Sequence, residues 1–368
     1  MFRGVPMNLL FMIGSLGGGG AERVVCTLVN GLVRKDISIT IVTLASSKTS
    51  YRLDKRIKHI SLSHVKSIKG LSTLKKVLLI RKHVKLSNYD MCISFTTKVN
   101  TVALLSIIGL KQKIIVSERN DPYRDPVDKL SRLLRRILYR FADGYVFQTE
   151  DARDYFSKKI QNKGQIIPNP VNEYLPPPYV GERDKVIVTA LRLEAQKNIP
   201  LLIDSFKLLV KDHPEYTLEI YGEGSQEKVI KEYIKSYNLD NKVYLKGFSQ
   251  EIYSDILKAK MFVLPSDYEG MSNAMVEAIA LGVPTISTDH PIGGARMIIE
   301  DGKNGLLTKV KDVNMLYEKM KYLIENEQIS EYIGKNGLRL REELSVEKII
   351  DMWIKYIYEV CVNDDCNK

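Results

Sequence analysis

Four charged side chains in the second half of the chain, two cations and two carboxylates, have the types and positions needed to bind a polar ligand. Arg192 and Lys197 follow a predicted buried strand in ALRLEAQKN, and Glu269 and Glu277 flank a predicted helix start in SDYEGMSNAMVEAIALG. An arginine binds a phosphate through a planar fork of N–H groups, whereas a lysine acts as a point charge. Two cations beyond one strand end therefore suit a diphosphate, although each could also be an ordinary surface charge.

The two glutamates allow more than one interpretation. Paired carboxylates can act as general acid and base in sugar chemistry. A carboxylate near a helix N-terminus is also stabilised by about 0.3–1 kcal/mol, which would account for Glu277 near the first turn but not for Glu269 in the loop. Ser272 or Asn273 is the predicted N-cap of this helix, and Gly282 with Pro284 ends it.

A glycine loop near the start, in MIGSLGGGGAERVV (12–25), joins a predicted buried strand to a predicted helix. Backbone amides at such a junction can face an anion, and four consecutive glycines predict close approach of a ligand rather than a tight turn alone. The loop lacks the dinucleotide fingerprint, because Glu22 or Arg23 stands where the third glycine belongs. The second strand also ends without an acid for a ribose, which argues against an NAD-dependent oxidoreductase.

Apolar runs that alternate with helical patterns predict two doubly wound α/β domains. The Pro-rich segment 168–184 separates them, so we expect an N-terminal domain over 1–170, a C-terminal domain over 171–345, and a final helix and tail over 346–368. The expected ligand site is a cleft between the strand ends. The predicted strands are 8–14, 38–44, 91–95, 113–117, 144–149, 164–168, 185–191, 216–222, 242–247, 260–266, 284–288 and 305–308.

The charge is distributed unevenly over the 368 residues, whose net charge is +11. Residues 1–170 contain 30 Lys and Arg against 12 Asp and Glu, whereas residues 171–368 contain 25 against 32. A basic first half predicts an anionic partner there. Few aromatic residues alternate with the cations, which argues against nucleic acid. The four cysteines are scattered, as in a reducing cytoplasm, and form no zinc or disulfide framework.

Two segments of the first half, 72–85 and 127–141, combine helical apolar spacing with Lys and Arg. This pattern is typical of a helix that lies on anionic lipid, although a basic helix face exposed to solvent would have the same pattern. We expect Arg132, Arg135 and Arg136 to face a membrane. No apolar run approaches the roughly 20 residues of a membrane span. The expected location is therefore cytoplasmic and peripheral, on the inner face of the plasma membrane.

Three motifs of the chain together resemble those of the nucleotide-sugar-dependent, retaining glycosyltransferases of family 4. They are E-G-x-x-x-x-x-x-E (269–277), R-L-x-x-x-K (192–197) and G-G-G-A-E-R (18–23). The resemblance extends from Met12 to the final helix. SERNDP (117–122) and FQTEDAR (147–153) are similar to the bacterial subset that builds capsule, exopolysaccharide or O-antigen units. The resemblance to family 4 implies a GT-B fold, in which two Rossmann-like domains face a cleft and a C-terminal helix crosses back to the N-terminal domain.

The resemblance also implies a role for each matching residue. Arg192 and Lys197 would hold the donor diphosphate, Glu277 the ribose hydroxyls, and Glu269 the donor sugar. Arg192, Lys197 and Glu269 form the expected catalytic set. The other expected donor contacts are Gly19 and Gly20 at the diphosphate, Gly222, Gly224, Gly247 and Phe248 at the nucleobase, and Gly270, Met271, Ser272, Asn273 and Ala274 at the phosphate and sugar.

Many relatives carry a histidine near the segment that is Ser117–Asn120 here. This chain has Glu118, Arg119 and Asn120 instead, and we expect these three on the acceptor side.

The implied reaction is transfer of a hexose or N-acetylhexosamine, with retention, from a nucleotide-diphosphate sugar. The donor is expected to be UDP-linked, and the acceptor a polyprenyl-diphosphate-linked saccharide used for surface polysaccharide. The departing phosphate would help to deprotonate the acceptor, and the cations would stabilise its charge. No D-x-D occurs, so the sequence requires no metal and no cofactor besides the donor. The alternatives are a nucleotide-sugar epimerase of the same fold and a non-catalytic binder of nucleotide sugars or polyanions.

Overall fold

The computed structural model describes residues 7–65 and 71–362. Their fold divides the chain into two compact units. The first unit extends to Pro170 and includes the chain again from Val346, and the second unit is Val171–Ser345.

The first unit contains a seven-stranded parallel sheet in the order β3-β2-β1-β4-β5-β6-β7. Because the strand order reverses between β1 and β4, their carboxyl ends mark the position where open α/β sheets bind ligands. The elements are β1 (Asn8–Ile13), α1 (Gly20–Arg34), β2 (Ser38–Thr43), β3 (Lys58–Ser61), α2 (Leu71–Leu86), β4 (Met91–Phe95), α3 (Thr97–Ile107), β5 (Ile114–Ser117), α4 (Lys129–Leu138), β6 (Gly144–Phe147), α5 (Glu150–Asp154), α6 (Lys158–Gln161) and β7 (Gly164–Ile166).

The second unit repeats this plan with a six-stranded sheet in the order β10-β9-β8-β11-β12-β13. Here the order reverses between β8 and β11. The elements are β8 (Asp184–Ala190), α7 (Ile199–Asp212), β9 (Thr217–Tyr221), α8 (Glu227–Ser236), β10 (Val243–Gly247), α9 (Ile252–Leu257), β11 (Ala259–Leu264), α10 (Asn273–Ala280), β12 (Thr285–Thr288), β13 (Leu306–Thr308), α11 (Val313–Glu325), α12 (Glu327–Gly337) and α13 (Leu340–Glu343).

Strand β3 was not predicted from the apolar pattern. Its sequence, Lys-His-Ile-Ser, has no apolar run because it lies at the edge of the first sheet and is only partly buried. The inner strands β4 and β5 are buried along their whole length, which is why continuous apolar runs predicted them.

The final helix α14 (Val346–Val362) packs in the first unit, as expected. Its Trp353 is fully buried, with its ring centroid 5.6 Å from that of Phe95. A Cβ on Gly31 of α1 would lie 1.8 Å from Ile350 Cδ1, so a larger residue there would require the Ile350 side chain to move. The two sheets and this returning helix give the GT-B architecture that the sequence predicted.

Candidate functional site

The ends of β8 and β11 bring two predicted site residues into direct contact. Lys197 Nζ forms an ion pair and hydrogen bond with Glu269 Oε1, and Ser266 Oγ donates to the same oxygen at 3.0 Å. Lys197 is 9% exposed and Glu269 is 8% exposed. Charges removed from water are stable only when paired, so this contact fixes both side chains.

A second contact aligns the two loops that carry this pair. Asn198 adopts the left-handed conformation (φ 46°) at the N-cap of α7. Its Nδ2 donates to Asp267 Oδ1 at 2.7 Å, and the Asp267 amide donates to the Gln196 carbonyl at 2.8 Å. The loop after β8 is thereby bonded to Asp267, in the loop after β11, on both sides of Lys197.

The environment keeps Glu269 ionised. Burial alone would raise its pKa, but the Lys197 ammonium, with a smaller contribution from the Ser266 hydroxyl, lowers it below its ordinary value. A carboxyl group that stays ionised accepts hydrogen bonds and does not act as a general acid at neutral pH. The geometry therefore fits a positioning role for Glu269 better than an acid–base pair.

Glu277 is buried in the second turn of α10. No acidic residue lies in the first turn, so attraction to the helix N-terminus does not explain this side chain. Of the two predicted N-caps, Ser272 and Asn273, the structure has Ser272, whose Oγ accepts from the Met275 amide at 3.5 Å. Ahead of α10, Gly270, Met271 and Ser272 are buried, whereas Asn273 and Ala274 are partly buried.

Arg192 is exposed beyond β8, in a loop that two glycines support. A Cβ on Gly222 would lie 1.9 Å from the Leu191 carbonyl oxygen, and one on Gly224 would lie 2.4 Å from that of Leu193. Gly222 also has a φ of 122°. Close contact with backbone thus accounts for both glycines without a nucleobase.

The next strand end carries the other expected nucleobase contacts. Gly247 ends β10 with a φ of 69°, and Phe248 beside it is 71% exposed.

His290, which sequence reasoning missed, is fully buried just after β12. Its Nδ1 lies 3.2 Å from the Pro291 carbonyl oxygen, which can only accept, so Nδ1 carries the proton. Its Nε2 then presents a lone pair and has no hydrogen-bond partner. Burial lowers the pKa of His290, with Glu269 opposing that effect, so the ring is neutral at pH 7. Only its position after a buried strand could have signalled it.

In the glycine loop of the first unit, a carboxylate of the chain itself, that of Glu22, occupies the backbone amide. The Gly19 amide donates to Glu22 Oε2 at 2.5 Å, and Ser15 Oγ donates to Glu22 Oε1. Glu22 thus completes a capping box at the N-terminus of α1. Gly20 is exposed, and Gly19 is partly buried.

Glu118, which we expected on the acceptor side, lies in the interior of the first unit. It is 3% exposed, and it accepts hydrogen bonds from Tyr139 Oη and from Thr97 Oγ1, the latter at 3.0 Å. Burial raises the pKa of Glu118 to about 7, although the nearby Arg135 lowers it in part. Arg119 and Asn120, the next two residues, are partly buried.

The expectation that Arg135 faces a membrane is wrong. Arg135 is 2% exposed, and its guanidinium donates to the carbonyls of Asp125 and Pro122, both at 2.7 Å. Arg132 is exposed, although it bonds the same loop through the Pro126 carbonyl at 2.7 Å, and Arg136 is exposed as well. The buried Arg135 therefore holds a loop.

Helices α2 and α4 instead expose apolar side chains beside lysines and arginines. Helix α3 packs against both, so the three lie side by side. We call this surface the apolar–basic face. Its exposed apolar residues are Leu71, Leu74, Leu78, Leu79, Leu86, Leu105, Val127, Leu130, Leu133, Ile137 and Phe141, and its exposed cations include Lys75, Lys82, Lys85, Lys129, Arg136 and Arg140.

Within residues 7–65 and 71–362, no group of three His, Cys, Asp or Glu side chains could hold a metal ion. Over the same residues, every helix is too short or too polar to cross a bilayer.

Comparisons with known proteins agree with this architecture. The family model for glycosyltransferase family 4 matches residues 18–174, and that for glycosyl transferases group 1 matches residues 175–339. The chain therefore belongs to these glycosyltransferases and is a hexosyltransferase enzyme.

Two similar proteins come from Campylobacter jejuni. The GalNAc-alpha-(1->4)-GalNAc-alpha-(1->3)-diNAcBac-PP-undecaprenol alpha-1,4-N-acetyl-D-galactosaminyltransferase is 28% identical, over 96% of this chain and 99% of its own. The N-acetylgalactosamine-N,N'-diacetylbacillosaminyl-diphospho-undecaprenol 4-alpha-N-acetylgalactosaminyltransferase is 29% identical, over 95% and 99%. Among solved structures, Anabaena HepE in complex with UDP and glucose has a TM-score of 0.82 at 18% identity, over 96% of this chain and 99% of HepE.

Proposed function

We propose that the chain transfers a hexose or N-acetylhexosamine from a UDP-sugar, with retention, to a polyprenyl-diphosphate-linked saccharide. The observation that carries the proposal is the buried Lys197–Glu269 pair at the point where the strand order of the second sheet reverses. The exposed Arg192 adds a cation on the same sheet edge. A sugar that leaves a diphosphate needs cations for the phosphate and acceptors for its hydroxyls, and this edge has both.

The residues have separate roles in this proposal. Arg192 and Lys197 bind the diphosphate and stabilise the charge that develops as the sugar leaves. Glu269, held ionised by Lys197, accepts from a sugar hydroxyl, and Glu277 accepts from the ribose. The departing phosphate deprotonates the acceptor hydroxyl, so no side-chain nucleophile takes part. The proposed reaction needs no metal.

The proposed acceptor class rests on the Campylobacter relatives, whose names specify undecaprenol-diphosphate saccharides. Such an acceptor lies at a membrane, so we propose that the enzyme works peripherally on the inner face of the plasma membrane. The apolar–basic face supports this location, because leucines can enter the lipid interface while lysines and arginines attract anionic headgroups. Synthesis of a surface polysaccharide such as capsule is the proposed context.

Transfer from radiolabelled UDP-sugars to a synthetic polyprenyl-diphosphate saccharide tests this proposal. We expect label in the lipid extract for at least one of UDP-glucose, UDP-galactose, UDP-GlcNAc and UDP-GalNAc, with the α-linkage preserved by NMR. Arg56→Gln is a matched control, because Arg56 is exposed and paired with Asp54 away from the site. An isomerised UDP-sugar without transfer would indicate an epimerase instead, and a product with inverted linkage would contradict retention.

A further inference from the structure

The guanidinium of Arg119 in the first unit is buried without any acceptor. Nε, Nη1 and Nη2 are all shielded from solvent, and none has a hydrogen-bond partner. The nearby carboxylate of Asp121 accepts instead from the Tyr123 amide at 2.8 Å, and its other oxygen is also without a partner. Arginine has five N–H donors and stays charged, so a buried guanidinium without acceptors is strongly unfavourable.

One aromatic contact compensates for part of this cost. Arg119 Cζ lies 5.2 Å from the centroid of the Phe95 ring, which packs against Trp353 on α14. A cation–π contact is worth about 0.5–2 kcal/mol, which is less than the several kcal/mol that burial of a charge costs. Burial also lowers the pKa of Arg119 to about 9, because no carboxylate opposes the effect.

The start of α3 follows, in sequence, the ring that lies under this guanidinium. Phe95, under the Arg119 side chain, is the last residue of β4, and the Thr96 amide donates to the Ser117 carbonyl at 3.2 Å. Thr96 is the N-cap of α3, but its side chain makes no capping hydrogen bond. Its φ of 75° is strained for a β-branched residue, and such strain concentrates at ligand sites.

The two helix N-termini at the switch point of the first sheet therefore differ. The Glu22 carboxylate caps α1, whereas α3 has no side-chain cap and begins two residues after Phe95, whose ring lies under the unpaired Arg119. A helix N-terminus stabilises a negative charge, and an arginine fork binds a phosphate in two-point fashion. We propose that Arg119 and the N-terminus of α3 bind a phosphate group of a substrate.

This inference rests on the proposed function for the origin of the phosphate. A diphosphate occurs both in the UDP-sugar and in the polyprenyl-linked acceptor, so the chemistry is shared. The glycine loop was the sequence-based expectation for anion binding in this unit. The structure favours Arg119, because the loop amide of Gly19 already bonds Glu22.

Calorimetric titration of inorganic diphosphate, UDP and farnesyl diphosphate tests the proposal on the wild-type chain, Arg119→Gln, Arg119→Lys and the control Arg56→Gln. We expect Arg119→Gln to weaken at least one ligand by about tenfold or more, as for loss of a charged hydrogen bond, and Arg119→Lys to weaken it less. Weaker binding of UDP to Arg119→Gln indicates that Arg119 binds the donor phosphate. Weaker binding of farnesyl diphosphate alone indicates that it binds the phosphate of the lipid-linked acceptor. Arg56→Gln should bind like the wild type.

The melting temperature without ligand separates binding from a structural role. Removal of an unpaired buried charge should leave the melting temperature of Arg119→Gln unchanged or raise it. A lower melting temperature, or unchanged affinity for all three ligands, would overturn the proposal. If UDP binding depends on Arg192 while every ligand is indifferent to Arg119, the proposed function stands and this inference fails.

Discussion

The carboxyl edges of the two sheets contain buried charge in two different states. At the edge of the second sheet, Lys197 and Glu269 neutralise each other, and Ser266 completes the contact. At the edge of the first sheet, the guanidinium of Arg119 is buried with no acceptor, and Glu118 accepts from two hydroxyl donors. A paired charge holds its geometry before any ligand arrives, whereas an unpaired one is stabilised only when an anion binds.

The largest expected effect comes from breaking the pair in the second unit. Glu269→Gln leaves the Lys197 ammonium buried and unpaired, which should cost about 3–5 kcal/mol of unfolding free energy. It should also reduce the rate of transfer by about 10²–10³-fold, because an electrostatic contact to the donor is lost. Urea unfolding and initial transfer rates measure the two effects.

The double variant Lys197→Met/Glu269→Gln sharpens this test. With both charges gone, most of the lost stability should return while activity stays low. A double variant as unstable as Glu269→Gln alone would show that the ion pair is not what holds the two loops.

Arg192 provides the next largest effect in the same unit. It is exposed, so Arg192→Gln should leave the free energy of unfolding within about 0.5 kcal/mol of the wild type. Affinity for UDP should fall by about 10–100-fold, as expected when a charged hydrogen bond is removed. Calorimetry with UDP checks this, and equal affinity would place the diphosphate elsewhere.

In the first unit, the buried carboxyl of Glu118 should make the free energy of unfolding depend on pH. Its folded pKa of about 7 lies above the ordinary 4.5, so the protonated carboxyl favours folding at low pH. That contribution is fully present below about pH 4.5 and is lost as the pH rises through 7. Glu118→Gln mimics the protonated form and should gain about 2–3 kcal/mol on the wild type between pH 5 and pH 8, measured by urea unfolding. A constant difference across that range would contradict the buried-carboxyl account.

The smallest expected effect concerns the apolar–basic face. Leu133→Ser and Arg136→Gln should each weaken binding to vesicles that contain anionic lipid by a few-fold, with less effect on neutral vesicles. Sedimentation with liposomes measures this. Arg135→Gln is a poor probe of the membrane, because it should mainly destabilise the loop bonded to α4. Equal binding by Leu133→Ser would remove this surface from the account.

Much of the fold could be predicted because the inner strands are continuous apolar runs and the helices keep an apolar face. The same logic placed Lys197 and Glu269 each beyond the end of a strand, and the structure shows that these two strands, β8 and β11, are adjacent in the sheet. The pairing between them depends on two loops that close on each other through Asn198, which no local pattern reveals.

Other features depend on which way a side chain points. Helical spacing alone made Arg135 look like its exposed neighbour Arg136, but the loop 122–125 covers it. Glu118 and Arg119 are adjacent in sequence, yet one has hydrogen-bond donors and the other has no acceptor. His290 follows a strand as many residues do, and only its burial singles it out.

The central claim, that the edge of the second sheet binds a nucleotide sugar, is tested most directly by thermal unfolding with a panel of UDP-sugars. At a concentration about 100 times the dissociation constant, a ligand of the folded state adds about 2.7 kcal/mol of stability. We expect at least one UDP-sugar to raise the melting temperature of the wild type and to have a much smaller effect on Arg192→Gln. An unchanged melting temperature with every nucleotide sugar, or an equal shift in both proteins, would contradict the claim.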